Sequence, residues 1–262
     1  MKSRTLVACV AFFVALAAAD ATVIPLSRVS SVEIVGMATD TGGTSNYHEG
    51  PQFFSGPGQS ALSLSGGVQS PLLQVTAFSS AVESSNILLD DSAPFGATAT
   101  AFTSATLDPA NITGGFIPGT LATGRSAFEY TFRIDGESQA FTLSGFIAHT
   151  NDGIAILSLK DVATAPDDFI AFTSLSGDDV GERSDLIPIS GVLLAGHDYR
   201  FSLFADSTAN RDSIAEYNAA LTFVPEGSAL VPLLAILIAS AAWEWRTRRS
   251  TLRVGARDHV AR

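Results

Sequence analysis

Alternation with a period of two dominates the middle of this chain. In Phe128-Glu129-Tyr130-Thr131-Phe132-Arg133-Ile134 the apolar residues Phe128, Tyr130, Phe132 and Ile134 fall on one face, and polar or charged residues fall on the other. A half-buried β-strand has this pattern, because successive side chains of an extended backbone point to opposite sides. Tyr199, Phe201, Leu203 and Ala205 alternate in the same way, as do Tyr217, Ala219, Leu221 and Phe223. Further strands are expected over 32–37, 60–65, 72–78, 97–106, 139–147, 153–160, 169–174 and 186–194. Clusters of Gly, Asn, Asp, Ser and Pro separate them, and Asn151-Asp152-Gly153 is a tight-turn signal. No window between residues 22 and 226 carries a helical stripe. Many short strands with regular turn signals predict an all-β fold, an antiparallel β-sandwich of jelly-roll or Greek-key type.

Two stretches are read as long loops at the ends of the sandwich, residues 38–59 and 107–126, both rich in Gly, Ser, Thr and Pro. Residues 22–60 are expected to form a partly separate edge. Leu194-Ala195-Gly196-His197-Asp198-Tyr199 leads into one of the strands. A Tyr just after a Gly turn resembles the tyrosine corner of Greek-key sandwiches, which implies that the Tyr199 hydroxyl bonds back to the turn backbone; the alternative is an ordinary core tyrosine.

The two ends of the chain read as addresses. Met1-Lys2-Ser3-Arg4 is basic, and an apolar run of 11 residues from Leu6 to Leu16 follows, then Ala17-Ala18-Ala19-Asp20-Ala21. This is the layout of a secretory signal peptide. The run is too short to span a bilayer, which takes about 20 residues. Cleavage is expected after Ala21, with Ala19 and Ala21 as the small residues, or else after Ala19. Leu6-Val7-Ala8-Cys9 matches a lipoprotein box in letters, but the apolar core continues past Cys9. The only cysteine is therefore expected to leave with the signal, which excludes a disulfide framework and a thiolate metal cluster.

A second apolar run, Ala229 to Trp243, has 15 residues, and Arg246, Arg248 and Arg249 follow it. As a helix it covers about 22 Å, short of a hydrocarbon core of about 30 Å. Trp243 and Trp245 suit the interface, and the Arg cluster keeps the tail cytoplasmic by the positive-inside rule. Ahead of this run stands Val224-Pro225-Glu226-Gly227-Ser228. A Pro-Glu motif, an apolar helix and an Arg cluster, in that order, resemble the PEP-CTERM sorting signal of exosortase substrates. Gly227 takes the place of the family's second Pro. The resemblance implies a Gram-negative-type bacterium, an exosortase-like membrane protease as partner, and transient anchoring in the inner membrane. Cleavage near the motif and release to the envelope or matrix would follow, where exopolysaccharide is a further expected partner. The expected organisation is thus a signal peptide (1–21), an exported sandwich (22–224), a sorting segment with one hydrophobic helix (225–250) and a basic tail (251–262).

Residues 22–226 hold 7 Lys plus Arg against 23 Asp plus Glu, a net of −16. That balance argues against nucleic acid as a partner, since phosphate binding takes Lys and Arg. It suits a soluble exported domain. Asp178, Asp179 and Glu182 follow Gly177 closely and are the best calcium ligands the sequence offers, since calcium takes loop carboxylates and carbonyls; solvated loop carboxylates are the alternative. No other cofactor is expected. His48, His149 and His197 have no metal-ligand spacing, and no Gly-x-Ser-x-Gly elbow occurs. No catalytic residue stands out. The expectation is a non-catalytic cell-surface or matrix protein. The alternatives are a carbohydrate-binding module, with Tyr47, Phe53, Phe54, Phe95 and Phe116 as loop aromatics, and a secreted hydrolase.

Overall fold

The computed structural model describes residues 21–72, 75–88, 96–109, 120–162, 169–176, 181–209 and 212–224. The signal peptide but for Ala21, the sorting segment from Pro225 onward and the basic tail lie outside these residues, as does the expected C-terminal helix. Twelve strands run through the described residues: β1 (Thr22–Asp40), β2 (Gly43–Phe54), β3 (Gly58–Gln69), β4 (Val75–Leu88), β5 (Gly96–Pro109) and β6 (Leu121–Asp135), then β7 (Gln139–Thr150), β8 (Ile154–Asp161), β9 (Phe169–Ser176), β10 (Glu182–Leu193), β11 (Asp198–Ala209) and β12 (Ser213–Phe223). They form two six-stranded antiparallel sheets. One has the order β2-β1-β6-β11-β8-β9, and the other β10-β7-β12-β5-β4-β3. The described residues are all-β, as the period-two pattern predicts.

The core lies where the inner faces meet, and it pairs large side chains with small ones. Phe128, Tyr130, Phe132 and Ile134 of β6 are buried, with Tyr199, Phe201 and Leu203 of β11 beside them. The opposite sheet contributes Ala97, Ala99 and Ala101 of β5 and Tyr217, Leu221 and Phe223 of β12. Alanines on one face leave room for aromatic rings from the other, as inner faces of packed sheets interdigitate. Phe132 is the hub. Its ring stacks on Tyr130 at 5.1 Å and Tyr199 at 5.8 Å, and meets the edge of Phe223 at 5.2 Å.

Residues 38–59 are not a loop. Gly43–Phe54 is β2, paired with β1 in the register Asp40↔Gly43 to Ser30↔Phe54. The β1–β2 hairpin extends one sheet, and the β3–β4 hairpin extends the other beside β5. Residues 22–60 are thus part of the sandwich rather than a separate edge. Likewise β6 begins at Leu121, inside the second expected loop. The Asn151 turn, with φ of 49°, joins β7 to β8 and so crosses between the sheets.

Three of the four outermost strands carry features that blunt their open edges. Pro51 lies in β2, the register of β10 slips at Pro188 between Leu186 and Ile189, and the β8–β9 ladder is irregular beside Ile170. Such devices discourage edge-to-edge pairing. Gly145 of β7 is required by geometry. Its φ is +136°, and a Cβ there would lie 2.0 Å from the Asn218 carbonyl oxygen. Gly145→Ala is therefore expected to lose at least the 1–3 kcal/mol or so of a strained backbone conformation, read as a fall in the urea midpoint. A midpoint within error of wild type would contradict this packing.

Candidate functional site

The strongest polar feature is inside the sandwich. On β1 the inward positions run Arg28, Ser30, Val32, Ile34, so the alternation that buries valine and isoleucine also buries an arginine. On β4 the inward run Ala81, Glu83, Ser85, Ile87 buries a glutamate. Arg28 is 4% exposed and Glu83 0%. Serines bridge the two charges. Arg28 Nη2 donates to Ser60 Oγ at 2.6 Å and to the Ser85 carbonyl at 3.0 Å, and it also bonds Ser85 Oγ. Ser60 Oγ donates to Glu83 Oε2 at 3.2 Å. Ser30 joins Ser85 at 3.1 Å. Burial pushes the Glu83 carboxyl above its ordinary range, while the serine hydroxyls and Arg28 pull the other way. Burial also lowers the Arg28 guanidinium, with Glu83 opposing.

Arg28 also ties down a loop. Its Nη1 donates to the carbonyls of Gly56 and Gly58, and its guanidinium lies 4.7 Å from the centre of the Phe54 ring. The loop then forms one wall of an open groove of about 470 Å³, whose other walls are Pro25–Val29 of β1, with Ile87 and Tyr130 beneath. Over Thr22–Val29 the side of β1 away from β6 has no ladder partner among the described residues, because β2 pairs only from Ser30 onward. The groove offers apolar side chains and strand-edge backbone. Glu83 is wholly buried and does not line the groove.

The sequence-predicted residues are spread over the fold. The Tyr199 hydroxyl accepts from the Leu194 N–H at 2.7 Å and donates to the Leu194 carbonyl at 3.3 Å. The Gly196 turn is stitched to β6 by Gly196 N–H to the Ile134 carbonyl at 2.7 Å and by Ile134 N–H to the His197 carbonyl at 3.1 Å. Beside it His197 Nδ1 meets Asp161 Oδ2 at 2.5 Å. Arg133 holds Asp198 with two bonds, of 2.6 and 3.0 Å, and this draws the Asp198 carboxyl below its usual range. Tyr199→Phe removes the hydroxyl and leaves the Leu194 N–H unpaired. A loss of about 1 kcal/mol is expected, measured by denaturant unfolding; an unchanged midpoint would reduce the contact to coincidence.

Of the calcium candidates, Asp178 and Asp179 lie outside the described residues. Glu182 is exposed on β10, its carboxylate 3.8 Å from Nε2 of the buried His149. Among the described residues no group of three or more His, Cys, Asp or Glu is placed to hold a metal ion. Ala21 precedes β1 directly, and Ala19 lies outside. Val224 is the last described residue. Its N–H donates to the Ala140 carbonyl at 2.9 Å, and its carbonyl accepts from Gln139 Nε2 at 2.6 Å. Pro225, Glu226, Gly227, Ser228, Arg246, Arg248 and Arg249 lie outside. Of the loop aromatics, Phe53 is exposed at the end of β2, Tyr47 is half-buried, and Phe54 packs under Arg28; Phe95 and Phe116 lie outside.

Sequence reading missed the Arg28–Glu83 knot. The signal was there: both residues fall in phase with inward apolar positions of their strands.

No family model matches the sequence, and no curated protein does. Among solved structures, the enzymatically active domain of bacteriophage CBA120 tailspike protein 4 is similar over 63% of this chain, at 11% identity and a TM-score of 0.26. This chain spans 19% of the length of that one.

Proposed function

We propose that this chain is an exported, non-catalytic cell-surface or extracellular-matrix protein, sorted through its C-terminal exosortase-type signal. The observation that carries the reading is where the fold closes. β12 ends at Phe223, and both backbone polar groups of Val224 are already held by β7 and its first side chain. Val224 is also the first residue of the sorting motif, whose Pro-Glu pair follows directly. A membrane protease acting at Pro225–Ser228 would remove no strand from either sheet. At the other end β1 starts at Thr22, one residue past the expected signal-peptide cleavage at Ala21. The addresses flank the body and share only Val224 with it.

The body itself is a jelly roll in this reading. Within the two sheets, β6-β11-β8-β9 and β5-β12-β7-β10 interleave eight consecutive strands. Six of the seven connections between them cross from one sheet to the other, and β8–β9 is the exception. Two Greek keys folded together give this order. The β1–β2 and β3–β4 hairpins then widen both layers on one side. In the precursor, the apolar run and Arg cluster hold the C-terminus in the inner membrane and present Pro225 at its outer face. Pro225 biases Val224 away from helix and keeps the junction extended.

The test is a chain tagged after Arg262 and again in the exposed Gly136–Glu137 turn, expressed with and without an exosortase. Loss of the terminal tag alone, only in the enzyme-bearing host, is expected. Equal accumulation of doubly tagged protein in both hosts would make the segment a plain anchor.

A further inference from the structure

The outer face of the β6–β11–β8–β9 sheet holds an arrangement that no part of the fold requires. In the body, whose net charge is −16, four of the seven basic residues, Arg125, Arg133, Lys160 and Arg200, stand on this one face. Arg125 is held by Asp206 at 2.7 Å and Arg133 by Asp198 at 2.6 Å. Arg200 reaches Glu129 only at 3.5 Å, and its Nε has no hydrogen-bond partner among the described residues. Lys160 has no ion pair among them. Lys160 and Arg200 lie directly opposite each other in the β8–β11 register. Like charges so placed are destabilising.

Beside these cations stands an exposed aromatic pair. Phe172 is 52% exposed and Phe169 39%, with ring centroids 4.9 Å apart. Residues three apart on a regular strand face opposite ways. Here the ladder skips Ile170, with Ala171 opposite Leu159 and Phe169 opposite Lys160, and this irregularity brings the two rings together. Phe172 is in register with Ser158, and Ser158 with Ser202, both on the outer face. Rings, hydroxyls and two opposed cations therefore lie on three adjacent strands, two strand spacings or about 10 Å across.

We infer that this face binds a polysaccharide carrying sparse acidic groups, such as a uronate among neutral sugars. A sugar ring lays its C–H face on Phe172 and Phe169, its hydroxyls bond Ser158 and Ser202, and its carboxylate sits between Lys160 and Arg200, relieving their repulsion. Sparse acidity follows from the charge: a densely anionic polymer is repelled by the carboxylates of this face, whereas a single carboxylate meets the local cations. At physiological salt charges beyond about 8 Å are screened, so the preference is set on this face itself, where Asp206, Asp198 and Glu129 stand among the cations and oppose a second anionic group. The inference deepens the surface-protein reading by naming what the protein holds there, and binding in solution stands or falls separately from sorting in the cell.

The experiment is affinity electrophoresis of the exported protein in non-ionic detergent, at physiological salt. The gels contain xanthan (glucuronate among neutral sugars), neutral dextran, or polyglutamate. Wild type is expected to be retarded by xanthan far more than by dextran or polyglutamate. Lys160→Ala should weaken xanthan binding about tenfold, toward the dextran level, and Phe172→Ala should weaken it by a similar factor. Both positions are solvent-facing, so both variants should melt with wild type, which circular dichroism checks. Absence of xanthan retardation, retardation unchanged by both substitutions, or equal retardation by polyglutamate would overturn the proposal.

Discussion

Arg28→Ala is expected to destabilise the protein by about 3–5 kcal/mol, the cost of leaving a buried charge without its partner. Glu83 is wholly buried, and the positive charge that opposes its desolvation comes from Arg28. The substitution also frees the carbonyls of Gly56 and Gly58, which Arg28 holds across from β1. The loss has a pH signature. Burial raises the folded-state pKa of Glu83 above its ordinary value of 4.5. The folded state therefore holds a proton that the unfolded state has released, so stability falls as pH rises from about 4.5 through the raised value. Without Arg28 that rise is larger. The deficit of Arg28→Ala should be greatest at neutral pH and shrink as the pH is lowered toward 5. Replacing both residues, with Arg28→Met and Glu83→Leu, should recover most of the loss, because an apolar pair needs no compensating charge. Urea titrations of wild type, Arg28→Ala and the double variant at two pH values measure all of this. A single substitution costing under about 1 kcal/mol would mean that the knot is solvated.

Phe132→Ala should cost about as much, roughly 3–5 kcal/mol, for a different reason. The ring is 0% exposed and contacts three other aromatic rings. Its removal leaves a cavity bounded by backbone of two sheets that cannot close up. Tyr130, Tyr199 and Phe223 surround the site, but each is itself buried and packed, so a ring that moved in would open a space of its own. Phe53→Ala is the control: that ring is exposed at the end of β2, and its loss should stay within about 0.5 kcal/mol. Similar midpoints for the two variants would contradict the core as described.

Much of this fold was legible because burial and periodicity agree. Phe128, Tyr130, Phe132, Tyr199, Phe201, Leu203, Leu221 and Phe223 announce themselves by alternation, and all are buried. β2 was hidden because both of its faces are open. Gly43–Phe54 has only half-buried and exposed residues, so no apolar stripe marks it, and its Gly and Pro mimic a loop. The N-terminal half of β1 was hidden for the opposite reason: its inward positions include Arg28 and Ser30, which read as surface. The Lys160–Arg200 and Phe169–Phe172 juxtapositions depend on register and on one irregularity beside Ile170, neither of which the residue order encodes. The Val224 junction needed both kinds of information. The motif is a matter of sequence, but only the pairing to Ala140 and Gln139 locates it at the boundary of the folded body.

That boundary makes the central claim open to a single mass. If the chain is an exported body released at its sorting motif, the protein recovered from the envelope or medium of an exosortase-bearing host begins near Thr22 and ends between Pro225 and Ser228. Intact-mass spectrometry of that material reads both termini at once, together with any added glycan. A species trimmed at both ends, absent when the protease is absent, is the predicted result. A species that keeps Ala229–Arg262 in both hosts would contradict it.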